Sequence, residues 1–241
     1  MENKSNAVDI TVCIDRSGSM QKMYEQTISG LNKFIEEQKN TATETNIPTN
    51  ITLKTFDDIS TIIPGFDNCP IKDVHNIDYN YLQPRGMTML IDTAVNTLIE
   101  QNKRYTDWKL LKDNENKSMK RIFALLTDGD DNSSTLYSTK ELNDIITKFQ
   151  DDGVTCIFLG ANQDAISQGQ LYGFHKKYSM TYNQTKESAL STFRSLSSQI
   201  SSECKGELSD GFSELQRSAS CPTPNTNNDY NDYNDCELQR C

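Results

Sequence analysis

Apolar runs of strand length alternate along this chain with longer segments that repeat apolar residues every three or four positions. Residues 121–127 and 154–159 are nearly continuous apolar runs, which is typical of strands buried on both faces of a parallel sheet. Helical periodicity separates such runs, for example at Tyr24, Ile28 and Leu31. The alternation predicts βαβ units, and hence an α/β fold with a doubly wound, open, mostly parallel sheet and helices on both faces.

A hairpin interrupts this parallel pattern. Residues 51–56 alternate as a strand, Asp57 and Asp58 form a tight turn, and residues 59–63 make a second short run. Two strands that are joined by two turn residues pair antiparallel. The sequence therefore predicts one antiparallel strand in the otherwise parallel sheet.

The periodicity fades after residue 203, which sets the expected end of the domain. Residues 221–235 are of low complexity, poor in aliphatic side chains and interrupted by proline. A segment of this composition cannot bury enough apolar surface to fold. We expect a short tail at residues 1–5, one domain at residues 6–203 and a disordered tail at residues 204–241.

Composition and charge argue against several classes of function. The 241 residues carry a formal net charge of −10, which disfavours nucleic acid and anionic membranes as partners. No apolar stretch is long enough to span a membrane, and the first residues lack the apolar core of a signal peptide. Seven cysteines at irregular spacing argue against a disulfide framework. We expect a cytoplasmic protein. Its wealth of Asn, Ser, Lys and Ile is typical of an AT-rich genome, such as that of a large DNA virus or a protist, and a viral protein would lie in the host cytoplasm or the virion.

Small oxygen-bearing side chains gather where two predicted strands end and where a later helix begins: Asp15, Ser17, Ser19, Thr88 and Asp128. Ligands of open α/β sheets bind beyond the carboxyl ends of the strands, so these side chains can meet at one rim. Two carboxylates and three hydroxyls suit Mg²⁺, which prefers about six oxygen ligands. The three hydroxyls can approach the metal directly, while the carboxylates, set further back, can hold its waters. Because the direct ligands would then carry little negative charge, a bound metal would stay electrophilic and would welcome a carboxylate from outside.

The D-x-S-x-S motif, the later threonine and the T-D-G sequence that contains Asp128 together resemble the metal-ion-dependent adhesion site of von Willebrand factor A domains. The resemblance covers nearly the whole predicted domain, including the hairpin and the placement of the helices. It implies that Ser17, Ser19 and Thr88 coordinate Mg²⁺ or Mn²⁺. It also implies that Asp15 and Asp128 assist directly or through water, and that an Asp or Glu of a partner protein takes the sixth position.

The threonine loop departs from the family pattern. Two glycines often precede the threonine, whereas this loop reads Arg85-Gly86-Met87-Thr88, and Met87 has less backbone freedom than glycine. We interpret Arg85 as a solvated side chain, with attraction of an acidic partner as the alternative. Asp130 and Asp131 are interpreted as an acidic rim, because the spacing of a calcium loop is incomplete there.

Three alternatives stay open. Residues 15–19 on their own suit a turn that caps the next helix. A Mg²⁺-dependent phosphatase could use Asp15, although the second aspartate of such a site is replaced by Ser17. A structural domain could keep the site without using it. His75 and His175 lie in no catalytic motif, so we expect a non-enzymatic, metal-dependent protein-interaction module.

Overall fold

A computed structural model describes residues 5–161, 164–207 and 209–222 of the chain. Its strands are β1 (Ala7–Asp15), β2 (Thr49–Phe56), β3 (Ser60–Ile62), β4 (Cys69–Pro70), β5 (Met119–Thr127), β6 (Val154–Ala161) and β7 (Ser179–Tyr182). Its α-helices are α1 (Tyr24–Thr45), α2 (Leu90–Lys109), α3 (Thr139–Asp151), α4 (Ala165–Leu171), α5 (Lys186–Lys205) and α6 (Glu214–Ser220). Strands and helices alternate through most of this order, as the sequence predicts.

The strands form one mixed sheet in the order β3-β2-β1-β5-β6-β7. β2, β1, β5, β6 and β7 run parallel to one another. β3 pairs antiparallel with the end of β2, and the two-residue β4 pairs antiparallel with its beginning. The predicted mostly parallel sheet with an antiparallel hairpin strand is confirmed, and β4 extends the same antiparallel edge.

Side chains of the central strands alternate between two apolar cores. Ile10, Val12 and Ile14 of β1 belong to the core under α1 and α5, whereas Cys13 belongs to the core under α2, α3 and α4. Successive strand residues point to opposite faces of a sheet, so helices cover both faces, as predicted. No helix in the described residues is long and apolar enough to cross a membrane.

Helix α6 lies beyond residue 203, where the sequence places the end of the domain. Phe212 is buried in the same core as α5. The Arg217 guanidinium donates hydrogen bonds to the carbonyls of Lys176 and Lys177, which precede β7. Residues 209–222 therefore pack against the domain. A seven-residue helix is too short for its periodicity to stand out in the sequence. The rest of the predicted tail, residues 223–241, lies outside the described residues.

The strand order reverses between β1 and β5. The chain passes from β1 through α1 to β2 on one side, while β5 lies on the other side of β1. At such a switch point the connections leave toward opposite faces and open a crevice at the carboxyl ends of the strands. β1 ends at Asp15 and β5 ends at Thr127, so the predicted site residues follow the two strands that border this crevice.

Candidate metal centre

Asp15 ends β1 as a buried carboxylate with few hydrogen-bond donors. The backbone N–H of Ser17 donates to Asp15 Oδ1 at 2.7 Å, and the Thr127 hydroxyl donates to Asp15 Oδ2 at 2.6 Å. Burial raises the pKa of Asp15 from 3.8 to about 6, although these hydrogen bonds act in the opposite direction. An ionised carboxylate here is therefore poorly solvated, and a nearby cation would stabilise it.

The two serines join Asp15 to Asp128 through a short series of oxygen atoms. Ser17 Oγ lies 3.0 Å from Ser19 Oγ, and the Ser19 hydroxyl donates to Asp128 Oδ1 at 2.6 Å. Burial also raises the pKa of Asp128. Four of the five predicted residues are thus linked directly by hydrogen bonds across the ends of β1 and β5. We call residues 16–19 the serine loop.

Thr88 is buried at the same rim, in a segment that we call the threonine loop (residues 85–89). Backbone hydrogen bonds join this segment to the serine loop: Gly18 N–H donates to the Gly86 carbonyl at 3.2 Å, and Arg85 N–H donates to the Arg16 carbonyl at 2.9 Å. The structure therefore brings the fifth predicted residue to the rim through its backbone.

The conformation of the threonine loop depends on Gly86 and not on residue 87. Gly86 has a φ of 66°, and a Cβ at this position would lie 2.2 Å from Asp58 Oδ2. Only glycine fits such a site. Among the described residues, the non-glycine residues with positive φ are Asn46 and Asn68, so Met87 keeps an ordinary φ. The departure from the two-glycine pattern therefore leaves the loop intact.

Arg85 is 60% exposed, as expected for a solvated side chain, but it also has a partner that the sequence did not indicate. Its Nε donates to Asp57 Oδ2 at 2.6 Å. Arg16 Nε lies 2.9 Å from the same Asp57 oxygen, as an ion pair that lacks the alignment of a hydrogen bond. Burial alone would raise the pKa of Asp57, but the hydrogen bond from Arg85, the Ile59 N–H and the two arginine charges hold it below its ordinary value.

Residues 131–134 have roles that sequence reasoning missed. Asn132 Oδ1 accepts from Thr88 N–H at 2.7 Å, and Asn132 N–H donates to the Thr88 carbonyl at 3.0 Å. Asp131 Oδ1 accepts from Ile91 N–H at 3.1 Å at the start of α2. Asp131 thus caps a helix, a role that its interpretation as part of an acidic rim did not include. A D-x-x-S pattern (Asp131 and Ser134) is the one signal in the sequence that favours local capping of this kind.

The donor set at the rim fits a hard divalent cation. Carboxylate and hydroxyl oxygens are ligands for Mg²⁺ and Mn²⁺, whereas zinc sites are built mainly from Cys and His. Within the described residues, no three His, Cys, Asp or Glu side chains cluster so as to hold a metal by themselves. A metal at this rim would therefore depend on the hydroxyls of Ser17, Ser19 and Thr88, together with water or an outside oxygen.

A buried tyrosine, Tyr182, lies near the two aspartates of the rim. The Tyr182 hydroxyl is buried and has no hydrogen-bond partner in the described part of the chain. Burial raises its pKa well above 10, and the charges of Asp128 and Asp15 add to this effect. Unsatisfied buried polar atoms are rare and often indicate a bound water or ion, so Tyr182 agrees with a ligand between the strand ends.

Comparison with known families gives one match over most of the chain. The family model for the von Willebrand factor type A domain matches residues 9–196. Comparison with curated proteins gives no match.

Three solved structures share the fold at low sequence identity. Proximal thread matrix protein 1 from the mussel byssus is 14% identical, with a TM-score of 0.56 over 83% of this chain and 47% of that chain. The pilus adhesin SpaC from Lactobacillus rhamnosus GG is 15% identical, with a TM-score of 0.60 over 83% of this chain and 31% of that chain. The vWF domain of the type V pili tip protein Mfa5 from Porphyromonas gingivalis is 11% identical, with a TM-score of 0.56 over 86% and 99%. This chain thus spans about half of the byssus protein and about a third of SpaC.

Proposed function

This chain belongs to the von Willebrand factor type A domain family, and we propose that its rim binds a divalent metal ion, Mg²⁺ or Mn²⁺, and through it a partner protein. In this proposal the hydroxyls of Ser17, Ser19 and Thr88 hold the metal. Asp15 and Asp128 assist directly or through water. The bound metal supplies an electrophilic position for an Asp or Glu carboxylate of the partner.

The observation that carries the proposal is the series of oxygen atoms across the switch point. Asp15, Ser17, Ser19 and Asp128 come from two strand ends that are far apart in sequence, yet neighbouring oxygens lie 2.6 to 3.0 Å apart from Ser17 to Asp128. Because the three hydroxyls that would hold the metal are neutral, the metal keeps its attraction for a further carboxylate.

The positions of Ser17 and of the two histidines favour an interaction module over a hydrolase. Ser17 stands where the phosphatase alternative requires a second aspartate. His75 packs against the Phe66 ring, with centroids 5.3 Å apart. His175 precedes β7 at the amino end of that strand, which is opposite the rim. His175 is therefore not placed to serve as a general base at the rim, and the His75 ring is engaged with an aromatic side chain.

We place the interaction inside a cell. Five cysteines in the described residues are free thiols: Cys13, Cys69, Cys156, Cys204 and Cys221. Free thiols persist in the reducing cytoplasm. Burial raises the pKa of Cys13 to about 11, which keeps that thiol protonated and unreactive.

Thermal unfolding with and without metal tests the metal site. A ligand that binds only the folded state stabilises it, by about 2.7 kcal/mol at 100 times its Kd. Addition of Mg²⁺ or Mn²⁺ to EDTA-treated protein should therefore raise the Tm. Ser17→Ala and Asp128→Ala should lose this shift. The matched controls Ser29→Ala and Asp144→Asn, at exposed helix positions, should retain it. The absence of a shift in the wild type, or equal shifts in wild type and Ser17→Ala, would exclude the metal site.

Affinity capture tests the partner. Wild type and Thr88→Ala are used as bait in Mg²⁺ and in EDTA, and we expect partners that only the wild type retains in Mg²⁺. Substitution of the partner's Asp or Glu by Asn or Gln should then abolish binding. A wild type that shows the metal-induced Tm shift but retains the same proteins in EDTA would indicate a structural site that is not used for docking.

A further inference from the structure

The end of β2 brings two more carboxylates to the rim, and neither belongs to the proposed metal ligands. Asp57 and Asp58 lie between β2 and β3, where the sequence predicts only a tight turn. In the structure these two residues contact both the serine loop and the threonine loop. We call Asp57 and Asp58 the aspartate pair.

The Asp57 carboxylate binds one arginine from each loop. Its Oδ2 lies 2.9 Å from Arg16 Nε of the serine loop and 2.6 Å from Arg85 Nε of the threonine loop. The side chain of Asp57 is 2% exposed and that of Arg16 is 11% exposed. The pair of Asp57 and Arg16 is therefore buried, and removal of one partner leaves an uncompensated charge. Arg85 is 60% exposed and is joined to Asp57 by an aligned hydrogen bond. Asp57 therefore fixes the two loops relative to each other.

The aspartate pair also holds the backbone on both sides of Thr88. Met89 N–H donates to the Asp57 carbonyl at 2.9 Å, and Met87 N–H donates to Asp58 Oδ1 at 3.0 Å. Asp58 Oδ2 occupies the space that a side chain at Gly86 would need. The positions of the residues that flank Thr88 are thus set from the end of β2.

We propose that Asp57 and Asp58 are positioning residues that hold the Thr88 hydroxyl against the serine loop and thereby set the affinity of the metal site. This inference rests on the proposed function. Three neutral hydroxyls bind a cation weakly unless they are held in place, and residues that orient metal ligands typically change metal affinity about 10- to 100-fold. Arg85 accordingly serves to hold the threonine loop and not to attract an acidic partner.

Titration with Mn²⁺ tests the inference through Asp57→Asn, Arg85→Gln and the double variant. Asp57→Asn should weaken Mn²⁺ binding by about 10-fold or more. The double variant should bind about as weakly as Asp57→Asn, because both substitutions remove the same contact. Asp107→Asn is the matched control: it breaks an exposed ion pair with Lys103 on α2 and should leave the Mn²⁺ Kd unchanged. A wild-type Kd in Asp57→Asn would overturn the inference.

Hydrogen exchange in EDTA separates positioning from general destabilisation and does not require metal. In Asp57→Asn the amides of Arg85, Met87 and Met89 should exchange faster than in the wild type, while the amides of β5 should be unchanged. Equal acceleration in β5 would show that the substitution destabilises the whole domain, and the inference would then fail. A wild type that binds no Mn²⁺ would exclude the proposed function. In that case, unchanged exchange at Met87 and Met89 would also exclude the positioning role.

Discussion

Two aspartates at the same rim, Asp15 and Asp92, are equally buried but have different kinds of partner. Each is 1% exposed. The Asp92 carboxylate accepts from three consecutive backbone N–H groups, those of residues 135–137, at 2.8 to 3.1 Å. The Asp15 carboxylate accepts from one backbone N–H, that of Ser17, and otherwise from the hydroxyls of Thr127 and Ser17. Burial is therefore the same, and solvation by the protein differs.

This difference separates a structural carboxylate from a candidate ligand. A backbone N–H can only donate, so the amides around Asp92 require a fixed acceptor. A hydroxyl can donate or accept, so the hydroxyls around Asp15 can also pair with a neutral side chain. Burial accordingly raises the pKa of Asp15 to about 6. A buried acid with few fixed donors favours a nearby cation, which burial alone would not reveal.

The largest expected effect is the loss of stability in Asp92→Asn. The new amide group would direct N–H donors at backbone N–H groups, and each donor left unpaired costs about 1–3 kcal/mol. We expect the free energy of unfolding, measured with urea in EDTA, to fall by about 4 kcal/mol. Asp15→Asn should change it little at neutral pH, because the Thr127 hydroxyl can accept from the new amide. Equal losses of unfolding free energy in the two variants would show that Asp15 and Asp92 do not differ in how the protein solvates them.

The second largest expected effect is a pH dependence of the free energy of unfolding that arises from the Asp15 carboxyl group. Its pKa is 3.8 when unperturbed and about 6 in the folded protein, so the folded state retains a proton that the unfolded state has released. In EDTA, this stabilisation is complete below about pH 4 and is lost as the pH rises through about 6. This contribution to the free energy of unfolding is about 2–3 kcal/mol.

The stability difference between wild type and Asp15→Asn isolates this titration from that of other acids. We expect the wild type to lose stability relative to Asp15→Asn between about pH 4 and pH 6 and the difference to stay level above that range. Urea unfolding in EDTA at several pH values measures it. A difference that does not vary with pH would mean that Asp15 is as well solvated as Asp92.

The sequence predicted the sheet and the placement of Asp15, Ser17, Ser19 and Asp128 because both depend on local patterns. Apolar runs identify the strands, and in a parallel sheet the residues after each strand must lie at one rim. The bonds of the threonine loop could not be predicted in this way. They join segments that are far apart in sequence, as for Thr88 and Asn132, which are 44 residues apart, and their existence depends on the path of a loop.

The same reasoning explains why Asp57 was underestimated. A pair of aspartates after a strand is a common turn signal, and nothing near it in sequence indicates that arginines at positions 16 and 85 will meet it. Their convergence follows from the strand order, which places β2 beside β1. Long-range ion pairs of this kind become visible only once the topology is known.

The smallest expected effect comes from Asn132, which joins the two regions under comparison. Its side chain accepts from Thr88 N–H at 2.7 Å, and it precedes the N–H groups that surround Asp92. Asn132→Ala removes one acceptor and should cost about 1 kcal/mol in the free energy of unfolding. It should also reduce the Mg²⁺-induced rise in Tm, because the Thr88 backbone then loses one of the hydrogen bonds that hold it in place.

The matched control is Asn50→Ala, which removes a side-chain hydrogen bond to Asn68 at the exposed edge of β2. It should leave the Mg²⁺-induced shift unchanged. If Asn132→Ala lowers stability but retains the full shift, Asn132 belongs with Asp92 as part of the structural capping. If it loses the shift as well, the loop that satisfies Asp92 also positions Thr88, and the two regions act as one support for the rim.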